Sequence, residues 1–225
     1  MPAFEPRFED LPSEFPVFPL PGVLLLPRGR LPLNIFEPRY LAMTEDALAA
    51  GRMFGMIQPD PRLPQGPNGP GFYRVGCLGR LVSFSETDDG RYLITLLGLA
   101  RFAVRGELAM TRGYRRVHAD FSTFNSDLAP DEGGTGYDRA ALLLDLRAYF
   151  ARRRIEANWE GINQLQDHAL VVTLSMVCPF DPAEKQALLE AATPAERART
   201  LHALLQIETH ATVRDTPDQP PARVS

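Results

Sequence analysis

The chain has 225 residues, 44% of them hydrophobic, with 24 basic residues against 28 acidic ones and a formal charge of −4. That length supplies one large domain or two modest ones with a substantial core. The acidic balance argues against a dedicated nucleic-acid binder, and no run of about eighteen apolar residues offers a membrane span.

The first dozen residues, MPAFEPRFEDLP, are acidic and proline-rich, an arm without the basic-then-apolar pattern of a secretion signal. A soluble, cytoplasmic protein is expected. From Phe15 onward, short apolar runs are punctuated by Pro16, Pro19, Pro21, Pro27 and Pro32. Each proline lacks an N–H and biases its predecessor toward extended backbone, so Val17–Leu20, Val23–Leu26 and Leu33–Phe36 read as short strands or extended segments. Pro38 suits a helix's first turn, and Leu41, Glu45 and Leu48 keep helical spacing through Ala49.

Met53–Gln58 reads as an inner strand. Residues 59–72, PDPRLPQGPNGPGF, carry too many prolines and glycines for regular structure and are expected on the surface, as a hairpin connection or a flap beside a binding face. Strands follow over Val75–Ser85, Tyr92–Leu97, Phe102–Arg105 and Arg115–Phe124, with Asp89-Gly90 as a hairpin turn and Gly98 as a break. Alternation sets Arg115, Val117, Ala119 and Phe121 against Arg116, His118, Asp120 and Ser122, the pattern of a half-buried strand. About six short strands around one helix imply a small β-barrel over residues 1–124.

Residues 125–136 are polar and glycine-rich, a linker. Beyond them a helical bundle is predicted over 137–212, with a disordered tail over 213–225. Ala140–Arg154 places Leu142, Leu143, Leu146 and Phe150 on one face. Its Arg152-Arg153-Arg154 end meets the helix dipole, an anion-binding role being the alternative. Asn163 and Gln166 are expected to cap a helix to Val177, apolar nearly all round and so the central one. Asp181-Pro182-Ala183-Glu184 and Thr193-Pro194-Ala195-Glu196 both supply a cap, proline at N1 and glutamate at N3.

Three of these stretches carry a resemblance. Phe15-Pro16-Val17-Phe18-Pro19-Leu20, Leu26-Pro27 and Pro32-Leu33 leading into Ile35-Phe36-Glu37-Pro38-Arg39-Tyr40 form the first. Leu97-Gly98-Leu99-Ala100-Arg101-Phe102 is the second, and Lys185 to Glu190 with Glu196 to Leu205 is the third. Together they resemble the LON domain, the N-terminal substrate-binding region of ATP-dependent Lon proteases, which also occurs alone in bacteria and in cereblon-type ubiquitin-ligase receptors. The resemblance implies an α+β fold, a PUA-like β-pseudobarrel followed by a C-terminal helical bundle.

Catalytic signatures are missing from the sequence. The one lysine, Lys185, follows Glu184 in a helix's first turn, so no G-x-x-x-x-G-K-[ST] nucleotide loop exists. Lys185 is expected to be exposed. His118, His168, His202 and His210 lack zinc spacing, with His118 and His202 expected at the surface, and no serine sits in G-x-S-x-G. Gly133-Gly134-Thr135-Gly136 follows acids rather than a strand, which suits a linker and not a phosphate cradle. Asp88-Asp89 and Asp131-Glu132 are turn acids. Cys77 and Cys178 fit neither a disulfide framework nor a metal pair and are expected to be buried thiols. No cofactor is implied and no enzyme is expected.

Binding is the remaining reading. The strand-to-helix junction at Phe36, Glu37, Arg39 and Tyr40 puts an aromatic pair beside a charged pair, the composition of an adaptable contact surface. The alternative is that Phe36 and Tyr40 anchor the helix to the barrel. Through the resemblance, the expected partner is unfolded or degron-bearing polypeptide, with an ATP-dependent protease as a further partner. Other readings are a PUA-like small-ligand or RNA-binding module, against which the acidic balance counts, and a cryptic enzyme with a pocket of pKa-shifted groups.

Overall fold

A computed structural model describes residues 6–129 and 136–210. The predicted arm before residue 6, the Asp131-Glu132 pair, most of the glycine run and the tail lie outside the described residues.

Among the described residues are eight strands and six α-helices. Strands β1 (Glu14–Pro19), β3 (Met53–Ile57), β6 (Val75–Glu86), β7 (Tyr92–Thr111) and β8 (Tyr114–Asp120) close a barrel in the order β7-β6-β3-β1-β8, with β8 returning to β7. The β1–β3 pair is parallel and the others are antiparallel. β2 (Arg30–Ile35) joins β7 outside this ring, and helix α1 (Pro38–Ala49) follows it. The result is an α+β fold, a pseudobarrel ahead of a helical bundle.

Closure depends on irregularity. β7 is one twenty-residue strand, not two strands broken at Gly98. Register shifts opposite Leu78/Gly79 and between Val104 and Gly106 bend it instead, as bulges bend a strand around a barrel. Gly98 is required for another reason. A Cβ there would lie 2.0 Å from the Leu26 carbonyl oxygen. That carbonyl belongs to Val23–Leu26, read as a short strand or an extended segment, and of the two it is not a strand. Leu24, Leu25 and Leu26 instead thread through the core, fully buried.

Inside the barrel, Phe15, Phe102 and Phe121 stack around Gly55, where a Cβ would meet the Phe102 and Phe15 rings at 2.8–2.9 Å. The β8 alternation holds: Val117, Ala119 and Phe121 are buried, and His118 is exposed. The proline-rich segment 59–72 is more ordered than its composition predicts. It forms a small hairpin, β4 (Gln65–Gly66) with β5 (Gly69–Pro70), and Asp60 is buried beneath it. Residues 122–128 form a 3-10 helix that takes in the start of the predicted linker.

The bundle comprises α2 (Arg139–Arg153), α3 (Trp159–Gln164), α4 (Asp167–Val177), α5 (Pro182–Glu190) and α6 (Pro194–His210). Asp181 and Glu184 form the expected capping box. Two expectations are corrected here. Asn158, not Asn163, caps a short separate helix, and Gln166 makes no side-chain cap bond. The central helix is α6, packed on α2, α4 and α5 through Ala198, Leu201 and Leu205, whereas α4 leaves Thr173 and Val177 exposed. Arg152 and Arg153 lie in the last turn of α2 as expected and also reach across to Thr209 and Glu208 at the end of α6.

Lys185 is also corrected. It is buried, and its Nζ donates to the Met176 carbonyl near the end of α4, one of the carbonyls a helix C-terminus leaves unpaired. Burial pushes its pKa down. Cys77 and Cys178 are free and buried as expected, and burial pushes the Cys178 thiol up to about 12.

Barrel and bundle are joined by buried polar contacts. Gln58 donates to the Pro182 carbonyl and to Gln186, whose own amide donates to the Val75 carbonyl. Arg101 holds Asp127 in a two-pronged ion pair at 2.7 and 2.8 Å and donates to the carbonyls of Leu189 and Ala191. Both side chains are almost fully buried, at 2% and 8% exposure. Removing one partner of such a pair strands a buried charge, at a cost of about 3–5 kcal/mol. Asp127→Ala is therefore expected to lower unfolding stability by about that amount in urea titrations. A loss below about 1 kcal/mol would show the pair to be dispensable.

Candidate functional site

The four residues singled out at the junction do not share one surface. Pro38 at N1 starts α1, and Glu37 occupies the N-cap in extended backbone. Tyr40 then turns inward. It is 5% exposed and stacks on Phe18 at 4.1 Å between ring centroids, which is the anchoring role. Phe36 turns outward and is 62% exposed, with the Arg91 guanidinium 5.9 Å from its ring. Glu37 and Arg39 pair with each other at 2.8 Å in solvent, and the Arg39 guanidinium lies 4.6 Å from the Tyr40 ring centre.

Beside Arg39 and Tyr40 the chain forms a cleft of about 170 Å³. Its walls are the start of α1, the β4–β5 hairpin and the β7–β8 turn. Pro19, Pro59, Pro70 and Tyr114 give it an apolar lining, and Met110, 48% exposed, stands at its rim. Methionine's flexible thioether suits a rim that meets varied side chains. The β7–β8 turn is tight because Arg112 and Gly113 both take positive φ, at 46° and 85°.

Arg115 fixes the hairpin wall. It pairs with Glu107 through two hydrogen bonds of 2.7 and 2.8 Å, donates to the Pro70 carbonyl at 2.7 Å and lies 3.5 Å over the Phe72 ring. Asn68 adds a bond to the same Glu107. The opposite wall is held by Tyr114, whose hydroxyl donates to Asp46 at 2.8 Å, and by Arg112, which pairs with Glu45 and Asp46. Burial and the Asp46 bond push the Tyr114 phenol up to about 12, so it stays a neutral donor at neutral pH. The Tyr114 hydrogen bond in turn holds Asp46 below the usual carboxylate range. At this cleft Arg39 pairs with Glu37, and Arg115 with Glu107.

Sequence reading missed Arg115, Glu107 and Tyr114. The signal was present: Arg115 shares the apolar face of β8 with Val117, and an arginine there requires a buried partner. Elsewhere, His202 pairs with Asp145 at 2.7 Å on the bundle surface. Among the described residues, no group of three His, Cys, Asp or Glu side chains is placed to hold a metal ion. No described helix is long and apolar enough to cross a membrane.

Residues 14–206 match the family model of the ATP-dependent protease La (LON) substrate-binding domain. Among curated relatives, Lon protease 2 of Thermus thermophilus is 23% identical over 88% of this chain and 24% of its own length. Lon protease 2 of Myxococcus xanthus is 28% identical over 50% of this chain and 13% of its own. The chain thus spans a quarter or less of either protein. Of solved structures, a Lon N-terminal domain protein from Xanthomonas campestris aligns over 85% of this chain and 98% of its own, with TM-score 0.57 and 22% identity. The N-terminal domain of Mycobacterium avium complex Lon protease aligns over 86% and 98%, with TM-score 0.56 and 18% identity.

A pH dependence follows for the hairpin wall. The Arg115 hydrogen bond holds the Glu107 carboxyl below its ordinary value of 4.5. A depressed folded-state pKa contributes stability that is complete above the unfolded value and is lost as pH falls through the folded value. Amide chemical shifts of Gly69, Gly71 and Phe72 are therefore expected to titrate with a midpoint below 4.5 and to lose that titration in Glu107→Gln. A midpoint at or above 4.5 would show that the Arg115–Glu107 contact does not govern this hairpin.

Proposed function

Because the chain belongs to the family of LON substrate-binding domains, we propose that it binds unfolded or degron-bearing polypeptide as a non-catalytic recognition factor in the cytoplasm. An ATP-dependent protease of the Lon kind is the partner that supplies force and cleavage. The observations that carry this reading are the exposed Phe36 at the end of β2 and, separately, the apolar-lined cleft between the start of α1, the β4–β5 hairpin and the β7–β8 turn. A phenylalanine left 62% exposed at a rigid junction loses little conformational freedom when a partner covers it.

The roles follow the geometry. Phe36 supplies apolar contact, the cleft between Tyr40, Pro70 and Met110 receives one bulky side chain, and Arg39 with Glu37 forms a polar rim. A surface of this kind recognises hydrophobicity in an extended chain without demanding one sequence, which suits unfolded clients.

The test uses labelled, reduced and carboxymethylated α-lactalbumin, which stays unfolded, in fluorescence anisotropy titrations. Saturable binding is expected, weakened about tenfold or more by Phe36→Ala, as for a contact hot spot. Arg39→Glu is expected to weaken it less, since the Arg39–Glu37 pair is exposed. Circular dichroism must first show both variants folded. Failure to bind at tens of micromolar protein would remove the reading, and salt-sensitive binding of labelled RNA instead would favour a nucleic-acid module.

A further inference from the structure

We infer that the free edge of β2 takes up an extended polypeptide segment as an added strand, with a carboxylate of that segment facing Arg30 and an apolar side chain lying toward Phe36. This deepens the polypeptide-binding reading and rests on it.

Among the described residues β2 pairs with β7 alone. The Gly98 N–H donates to the Gly29 carbonyl at 2.9 Å, which fixes the phase of the antiparallel ladder. Backbone groups alternate, so Leu31, Leu33 and Ile35 turn toward β7, and Arg30, Pro32 and Asn34 turn away. Pro32 agrees with this phase, since it has no N–H to give β7. The outer edge therefore presents two N–H donors, from Arg30 and Asn34, and three carbonyls. The side chains of all three residues are exposed. A row of backbone donors and acceptors at strand spacing is matched best by another strand.

Charge selects the occupant. The Arg30 side chain makes no ion pair or hydrogen bond with a described residue, and β2 contains no acid. The pairing sets Arg30, Leu97 and Arg80 in one row across three strands, so the Arg30 guanidinium stands at this end of the edge. The next row, Pro32, Thr95 and Ser83, is low, and the row beyond holds Asn34, the half-exposed Leu93 and Ser85. These residues line a shallow open trough. Phe36 follows directly. The six residues of β2 span about 20 Å, the reach of a six- or seven-residue segment with an acid at one end and an apolar residue at the other.

A second copy of the chain is the poorer occupant. Self-pairing would bring two prolines into one ladder and place two cationic edges together. A single strand pair also buries far less than the roughly 1,200 Å² of a stable interface.

The test uses a fluorescein-labelled synthetic peptide of alternating valine and threonine with leucine at one end and two aspartates at the other, made in both orientations. Versions of the peptide are N-methylated at one or the other alternate set of amides. Binding is read by anisotropy beside that of carboxymethylated α-lactalbumin. Methylating one set is expected to abolish binding and the other to leave it intact. Asn34→Pro, which removes one outward donor as Pro32 already does, is expected to weaken binding about three- to tenfold in a variant shown folded by circular dichroism. Arg30→Glu is expected to weaken the aspartate peptide and not its asparagine counterpart. Equal binding of both methylated peptides, or unchanged affinity in Asn34→Pro, would overturn the strand-addition inference. If the lactalbumin still binds through Phe36, the broader reading survives that failure; if neither binds, both fall. An Asn34→Pro effect on sedimentation instead of peptide affinity would make β2 a homodimer edge and equally overturn the proposal.

Discussion

Arg101 carries the connection on which the rest of the molecule depends. It lies on β7 just past the bulge at Leu99, with its guanidinium against the Phe124 ring. Two of its donors hold Asp127, and a third reaches the carbonyls of Leu189 and Ala191. Those carbonyls terminate α5, where a helix leaves acceptors unpaired and carries partial negative charge. Arg197 of α6 takes a neighbouring one, the Leu188 carbonyl at 2.9 Å. One helix end is thus closed by two buried arginines from different parts of the chain. Burial and the Arg101 charge push Arg197 down to about 10. Its Nη2 has no partner among the described residues, so the lock is tolerated at a cost and is not ideally satisfied.

This lock also shows what the sequence withheld. The start of α5 was legible because it is local: Asp181 with Pro182 and Glu184 states its own geometry within four residues. The β8 alternation was legible for the same reason. Asp127 stood in a polar run indistinguishable from solvated linker, and its burial depends on Arg101, 26 residues earlier. Lys185 was misread because its acceptor belongs to another helix. The Val23–Leu26 run had strand composition, but the core needed its side chains on every side and gave its backbone no ladder.

The junction at the candidate site was half legible. Phe36 and Tyr40 are equally aromatic, and nothing local distinguished the residue left outside from the one used as an anchor. The strand phase of β2 makes that distinction, because Phe36 continues the outward series of Arg30, Pro32 and Asn34. The cleft was not legible, since its walls come from three distant segments. One of them, the proline-rich hairpin, owes its order to Arg115.

The pairing scheme imposes an order in time. β1 bonds to β8 in a register of Glu14 with His118, so the first barrel strand cannot acquire its second neighbour until about a hundred further residues exist. At about 5–20 residues per second, a ribosome leaves that edge open for several seconds. Arg101 waits nearly as long, for a carbonyl ninety positions on. The nascent barrel is consequently an unfinished, charge-bearing object for most of its synthesis, and its prolines at positions 16 and 19 guard the waiting strand against the wrong neighbour.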